Sequence, residues 1–180
     1  LNYKNFEFDH KYISSLIDSV RDTFAFNKRI FTQKNHSFKI MHITNLNERF
    51  DGRLHYNTGR RLNNGFIRNG HNVLTLSDRD TLHTQKTIND LSGTKSLQKK
   101  IIETHENFKP DLIVLGHADR VNPNTLKSIK SLNNKVKIIQ WFLDPLSKYG
   151  PDHFSNSKRI LDKIDYIDQT FLTTDPKSLS

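Results

Sequence analysis

Apolar positions along this chain fall into two kinds of segment, compact runs and repeats spaced by three and four. Ile13, Leu16, Ile17, Val20 and Phe24 follow the second spacing and predict a helix over 9–24. A polar, basic link follows, so 1–36 is expected as a helical extension and 37–175 as the main domain. The run Phe38–Ile43 predicts a strand, and Asp51-Gly52 marks a turn in the loop after it. Thr58 is the expected N-cap of a helix reaching about Asn69, with Leu62, Phe66 and Ile67 burying one face and Gly70 as its stop. Gly59 would allow a close approach at that helix's N-terminus, and Gly65 would bring the helix close to a sheet. Asn72–Leu76 reads as a second strand. Residues 77–92 are polar and show no period.

Further on, Leu97, Ile101, Ile102 and His105 define the inner face of a helix that Pro110 ends. Asp111–Gly116 is apolar without alternation, as a parallel strand covered on both faces should be. Asn124 or Thr125 can open a helix carrying Leu126 and Ile129. Val136–Phe142 predicts a strand, Asn156 or Ser157 a helix carrying Ile160, Leu161 and Ile164, and Tyr166–Thr173 a final strand. Strand and helix thus alternate with short connections. The expected fold is α/β, a Rossmann-like parallel sheet of about five strands with helices on both faces, plus the N-terminal helix. The expected strand order is 3-2-1-4-5, with 111–116 and 137–142 as fourth and fifth strands.

Ligands of such sheets sit outside the carboxyl ends of the strands. Those ends carry Thr44-Asn45 leading into Glu48, Arg49, Asp51 and Gly52, then His117 and Asp119, then Asp144, then Asp175. His117 and Asp119 are the candidate catalytic pair, since an imidazole titrates near neutrality and a carboxylate can orient it or take the proton itself. Asp144 precedes Pro145, which holds its backbone extended, and it can fix the loop or bind hydroxyls. The first strand–helix junction lacks both G-x-G-x-x-G and a P-loop, which argues against a plain NAD dehydrogenase or a P-loop ATPase.

Charge and composition narrow the classes further. Lys and Arg number 28 against 19 Asp and Glu, a formal charge of +9, and there is no Cys. Disulfides, iron–sulfur clusters, Cys-ligated zinc and thiol catalysis are excluded. The nine histidines are scattered without a metal-binding spacing, so no metal is expected. The basic residues are dispersed and lack interleaved stacking aromatics, so no nucleic-acid partner is expected. A peripheral contact with an anionic membrane fits the charge better.

The phrase Asn64-Gly65-Phe66-Ile67-Arg68-Asn69-Gly70-His71-Asn72-Val73, following Ile40-Met41-His42-Ile43 and a Gly-containing loop, resembles the first βαβ unit of GT-B glycosyltransferases. Asp111–Asp119 resembles the fourth strand of that family and its loop. Trp141-Phe142-Leu143-Asp144-Pro145 and Phe171–Thr174 resemble the strands after it, in the manner of the spore-protein-like or group 1-like members. The resemblance covers about 38–174. It implies the acceptor-binding half of an enzyme that moves a sugar from a nucleotide-sugar donor to a saccharide, lipid-linked or other hydroxyl acceptor, in polysaccharide or cell-envelope biosynthesis. The donor would be held by a C-terminal domain outside this chain, so the 180 residues alone are expected to be inactive. Asn45, Glu48, Arg49, Asp51, Gly52 and Asp144 would line the acceptor side, with Arg49 meeting an acidic acceptor or the diphosphate. No cofactor is expected, and the location is expected to be cytoplasmic, with membrane association as a further expectation. The alternative is a self-contained Rossmann-like module that binds a nucleotide or effector, or another protein, without catalysis.

Overall fold

The computed structural model describes residues 37–175 and 177. Ser37–Ser180 form a unit separate from Leu1–His36, and the helix expected over 9–24 lies outside the described residues. Five strands, β1 (Lys39–Thr44), β2 (Asn72–Leu76), β3 (Leu112–Gly116), β4 (Lys137–Phe142) and β5 (Gln169–Leu172), form one all-parallel sheet. The helices are α1 (Thr58–Arg68), α2 (Asp78–Thr84), α3 (Thr94–Phe108), α4 (Pro123–Leu132) and α5 (His153–Leu161). Glu48–Phe50 and Ile164–Tyr166 are single 3₁₀ turns. The α/β, Rossmann-like expectation holds.

Strand order differs from the expected 3-2-1-4-5. It is β2-β1-β3-β4-β5, the order of a six-strand 3-2-1-4-5-6 sheet without its outermost strand. Residues 77–92 hold no apolar run from which a strand could form. They fold instead as α2 and a turn in which Thr87 and Asp90 exchange backbone hydrogen bonds at 3.0 and 3.1 Å. Among the described residues β2 is therefore an edge strand. The strand order winds outward in opposite directions from β1 and from β3, which makes the crevice beyond Thr44 and Gly116 the topological switch point.

Right-handed crossovers put α1 on one face and α3, α4 and α5 on the other. The thicker core lies on the second face. There Met41, Ile43, Ile113, Leu115 and Ile138 meet Leu97 and Ile101 of α3 and Leu126 and Ile129 of α4. On the first face, Phe66 of α1 packs on a cluster around Ile40, Val114 and Trp141.

Several local expectations shift. Leu62 is 36% and Ile67 52% exposed, so they do not bury the face of α1. The side of α1 toward the sheet is Gly59, Asn63 and Phe66, and its middle position is polar because Asn63 accepts from Thr75 Oγ1 at 2.7 Å and meets His42 Nδ1 at 3.1 Å. Asn57, not Thr58, caps α1, accepting from the Arg60 amide at 2.9 Å. A Cβ on Gly59 would come within 2.5 Å of Thr44 Oγ1, so α1 begins against the end of β1, whereas Gly65 faces open space and brings nothing close. α4 starts earlier than expected, with Pro123 inside its first turn, where a missing N–H costs nothing. α5 also starts earlier, at His153, and leaves Leu161 and Ile164 largely exposed while Ile160 is buried. The last strand is shorter because Ile164–Tyr166 closes into a 3₁₀ turn. Among the described residues no helix is long and apolar enough to cross a membrane.

Candidate functional site

The carboxyl end of β3 is built around a glycine. A Cβ at Gly116 would stand 2.1 Å from Trp141 Cζ2, so the indole lies across the strand end and only glycine fits. The next residue, His117, takes a left-handed backbone, φ 48°, which turns its ring over β4. The imidazole stacks on Phe142 at 5.1 Å and stands edge-on to Trp141 at 5.2 Å. Its Nδ1 faces Asp144 Oδ2 at 3.6 Å, a charge contact longer than a hydrogen bond, and Asp144 in turn lies 3.8 Å from Arg159 Nη1. Burial pushes the His117 pKa down; Asp144 opposes this, while Arg79 and Arg159 reinforce it. The result lies below 6.5, so the ring is neutral at pH 7.

Asp119 is held away from this ring by a bidentate contact with Arg79 of α2, Nε to Oδ1 at 3.1 Å and Nη2 to Oδ2 at 3.2 Å. The carboxylate set against His117 is therefore Asp144, and the expected orienting partner, Asp119, instead ties α2 to the β3 loop. Behind Asp119, Lys163 is buried and donates to the Ala118 carbonyl at 2.8 Å. Burial lowers its pKa, against the pull of Asp119, Asp78 and Asp162. Asp78 is fully buried. Its Oδ2 accepts from the Arg120 amide at 3.4 Å, and its Oδ1 has no partner among the described residues. Burial and the Asp119 charge raise its pKa from 3.8 to about 6. A small cleft at the ends of β3 and β4 is lined by His117, Asp119, Phe142, Arg159 and Lys163.

The loop after β1 is organised separately. Asp80 of α2 accepts from the amides of Glu48 at 2.9 Å and Arg49 at 3.4 Å, from Arg49 Nη1 at 3.1 Å, and from Ser77 Oγ. Burial opposes its charge, but these donors prevail and hold the carboxyl below its usual pKa. Arg49 also lies over the Phe50 ring at 4.6 Å. Its guanidinium is thus engaged by Asp80 and Phe50 rather than offered to an acceptor. Asn45 closes on Asn47, donating to Asn47 Oδ1 at 2.9 Å and accepting from the Asn47 amide at 3.2 Å. Asp51 and Gly52 form an exposed left-handed turn. Glu48 lines a groove beside β2, not the His117 cleft. The structure thus brings His117 and Asp144 together and leaves the β1 loop residues in a second cluster.

Arg79, Asp78, Asp80, Arg159 and Lys163 escaped the sequence reading. Two signals were there. Ser77-x-x-Asp80 is a helix-start pattern, and Asn156, Ile160 and Lys163 follow the four-three spacing of an inward row. Among the described residues no group of three or more His, Asp and Glu is placed to hold a metal ion. No protein-family model matches the sequence, and no curated protein matches it.

Proposed function

We propose that this domain is the acceptor-side half of a glycosyltransferase built from two Rossmann-like domains. It would bind a saccharide or lipid-linked acceptor at the carboxyl edge of β3 and β4. A second α/β domain facing that edge would hold the nucleotide-sugar. The observation that carries the reading is His117, a neutral imidazole next to the switch point with Asp144 at its Nδ1.

In the inverting form of the reaction, Nε2 of His117 takes the proton of the acceptor hydroxyl as the oxygen attacks the anomeric carbon. The bond from that carbon to the diphosphate oxygen breaks, and the nucleoside diphosphate leaves with the electron pair. Asp144 stabilises the imidazolium that forms. Arg159, in contact with Asp144, places positive charge beside the acceptor. Stacking on Phe142 and the edge-on contact with Trp141 fix the ring and lower the entropy lost on reaching the reactive geometry.

The test is kinetic, on the full-length gene product with a panel of nucleotide-sugars and hydroxyl acceptors. His117→Ala should lower transfer by roughly 100-fold or more. Asp144→Asn should move the acid limb of the kcat/KM profile to lower pH, because Asp144 supports the protonated ring. A folded His117→Ala variant with near wild-type turnover and acceptor affinity would refute the assignment.

A further inference from the structure

We propose that the open edge of β2 binds an extended peptide as a sixth strand, and that this peptide carries two adjacent acidic residues. The proposal does not depend on the sugar-transfer reading.

The Asn72 amide donates inward to the Phe38 carbonyl at 2.9 Å. Strand alternation then turns the amides of Leu74 and Leu76 toward β1 and the peptide groups of Val73 and Thr75 toward the open side. Edge strands are ordinarily guarded by charges, proline or a bulge. The sequence of β2, Asn-Val-Leu-Thr-Leu, has no charge and no proline, and its register with β1 is unbroken. Residues 77–92, which follow it, add no strand to that edge. Beside it runs an open groove of about 610 Å³, lined by Leu74 and Thr75 of β2, Asn63 of α1, Thr104 of α3, and Thr81 and Thr84 of α2.

Two cations flank this groove on opposite faces of the sheet, Arg60 from α1 and Lys100 from α3. Arg60 Nε is buried without a hydrogen-bond partner among the described residues. Its only anion there is the exposed Glu48, at 3.9 Å, and exposed pairs of that length are weak. Lys100 has no ion pair among the described residues. Successive side chains of an added strand point to opposite faces. One acidic residue would therefore meet Arg60 and its neighbour Lys100. The other carboxylate in the groove, Asp80, is already saturated by donors. The formal charge of +9 favours an acidic segment over a second copy of this basic chain.

The test uses the isotope-labelled full chain and seven-residue peptides of alternating threonine and valine, with an Asp-Glu pair placed at each position in turn. At least one register should shift the amide signals of Val73 and Thr75. N-methylation of the alternate peptide residues that face β2 should weaken binding at least tenfold, and N-methylation of the intervening ones should not. Arg60→Glu with Lys100→Glu should weaken it by a similar factor, and a Lys-Lys peptide should not bind. The proposal is overturned if no register shifts β2 at millimolar peptide or if both methylation patterns act alike. It is equally overturned if the chain dimerises through this edge.

Discussion

Asp78 offers a direct measurement of what a buried charge does to this fold. Its carboxyl is fully buried, one oxygen lacks a partner among the described residues, and its folded pKa is about 6 against 3.8. Because the folded pKa is the higher one, the folded chain holds more protons than the unfolded chain between those values. Asp78 therefore weakens the fold as pH rises from 3.8 to about 6, by about 3 kcal/mol at roughly 1.4 kcal/mol per pH unit. Asp78→Asn removes that charge. It also replaces charge-assisted acceptance from backbone amides with a weaker neutral bond, worth about 1 kcal/mol less, and takes one anion away from Lys163. The expected net gain at pH 7.5 is about 1–2 kcal/mol, read as a rise of about 2–8 °C in Tm. Near pH 4 the two proteins should be alike. His42 supplies an internal check, since burial lowers its pKa from 6.5 to about 4. Its neutral form stabilises the fold fully above 6.5 and loses that contribution as pH falls toward 4, opposite to Asp78 over nearly the same window. Wild type should then show a shallow profile between pH 4 and 6.5, and Asp78→Asn a steeper acid loss, both by urea unfolding. An Asn variant that is less stable at pH 7.5, with a difference independent of pH, would refute the reasoning and mean that Asp78 is an ion-pair partner of Lys163.

Gly116→Ala should cost about 1–3 kcal/mol or more by forcing the Trp141 ring aside, and adding Trp141→Leu should recover part of that loss in a double-mutant cycle. Asp80→Asn should cost about 1–3 kcal/mol and speed hydrogen exchange at the Glu48 and Arg49 amides. Because the folded pKa of Asp80 is depressed, the difference from wild type should be full above pH 3.8 and fade as pH falls below it. Gly59→Ala should also destabilise through its contact with Thr44, with a thermal melt as the readout and Thr44→Ala as the relieving second change.

The strands were legible because parallel strands covered on both faces are apolar throughout, as in Leu112–Leu115. The helices of the thicker face were legible because Leu97, Ile101, Leu126 and Ile129 keep the helical spacing. α1 misled because Asn63, the residue facing the sheet, is polar, and its meaning depends on His42 and Thr75, which are distant in sequence. At the candidate site, His117 and Asp144 could be placed at neighbouring strand ends from their positions alone. Which carboxylate meets the ring could not, because that rests on Arg79 capturing Asp119 across 40 residues. A polar seven-residue helix with no period of its own carries that arginine.

This short helix, α2, links the two clusters at the carboxyl edge. Asp80 reaches back to hold the loop after β1, and Arg79 reaches across to hold the loop after β3. Between them, Asp78 faces the Arg120 amide with its charge only partly compensated. Three consecutive charged residues of one helix thus act on two segments, Asp78 and Arg79 on the loop after β3 and Asp80 on the loop after β1. α2 replaces the strand that would have covered β2, so one departure from the doubly wound pattern has two consequences. It leaves β2 open to a sixth strand, and it supplies the arginine that draws Asp119 away from His117 and leaves Asp144 as the carboxylate facing that ring. A ligand that displaced Arg79 from Asp119 would return a second carboxylate to the neighbourhood of His117 and raise the ring's proton affinity, since Arg79 lowers it and Asp119 raises it. Arg79→Gln reproduces that change without a ligand, and the His117 titration followed by NMR should then move upward from its wild-type position. An unchanged or lowered midpoint would mean that Asp119 turns to Arg120 or Lys163 instead, and α2 would have no electrical hold on the His117 cleft.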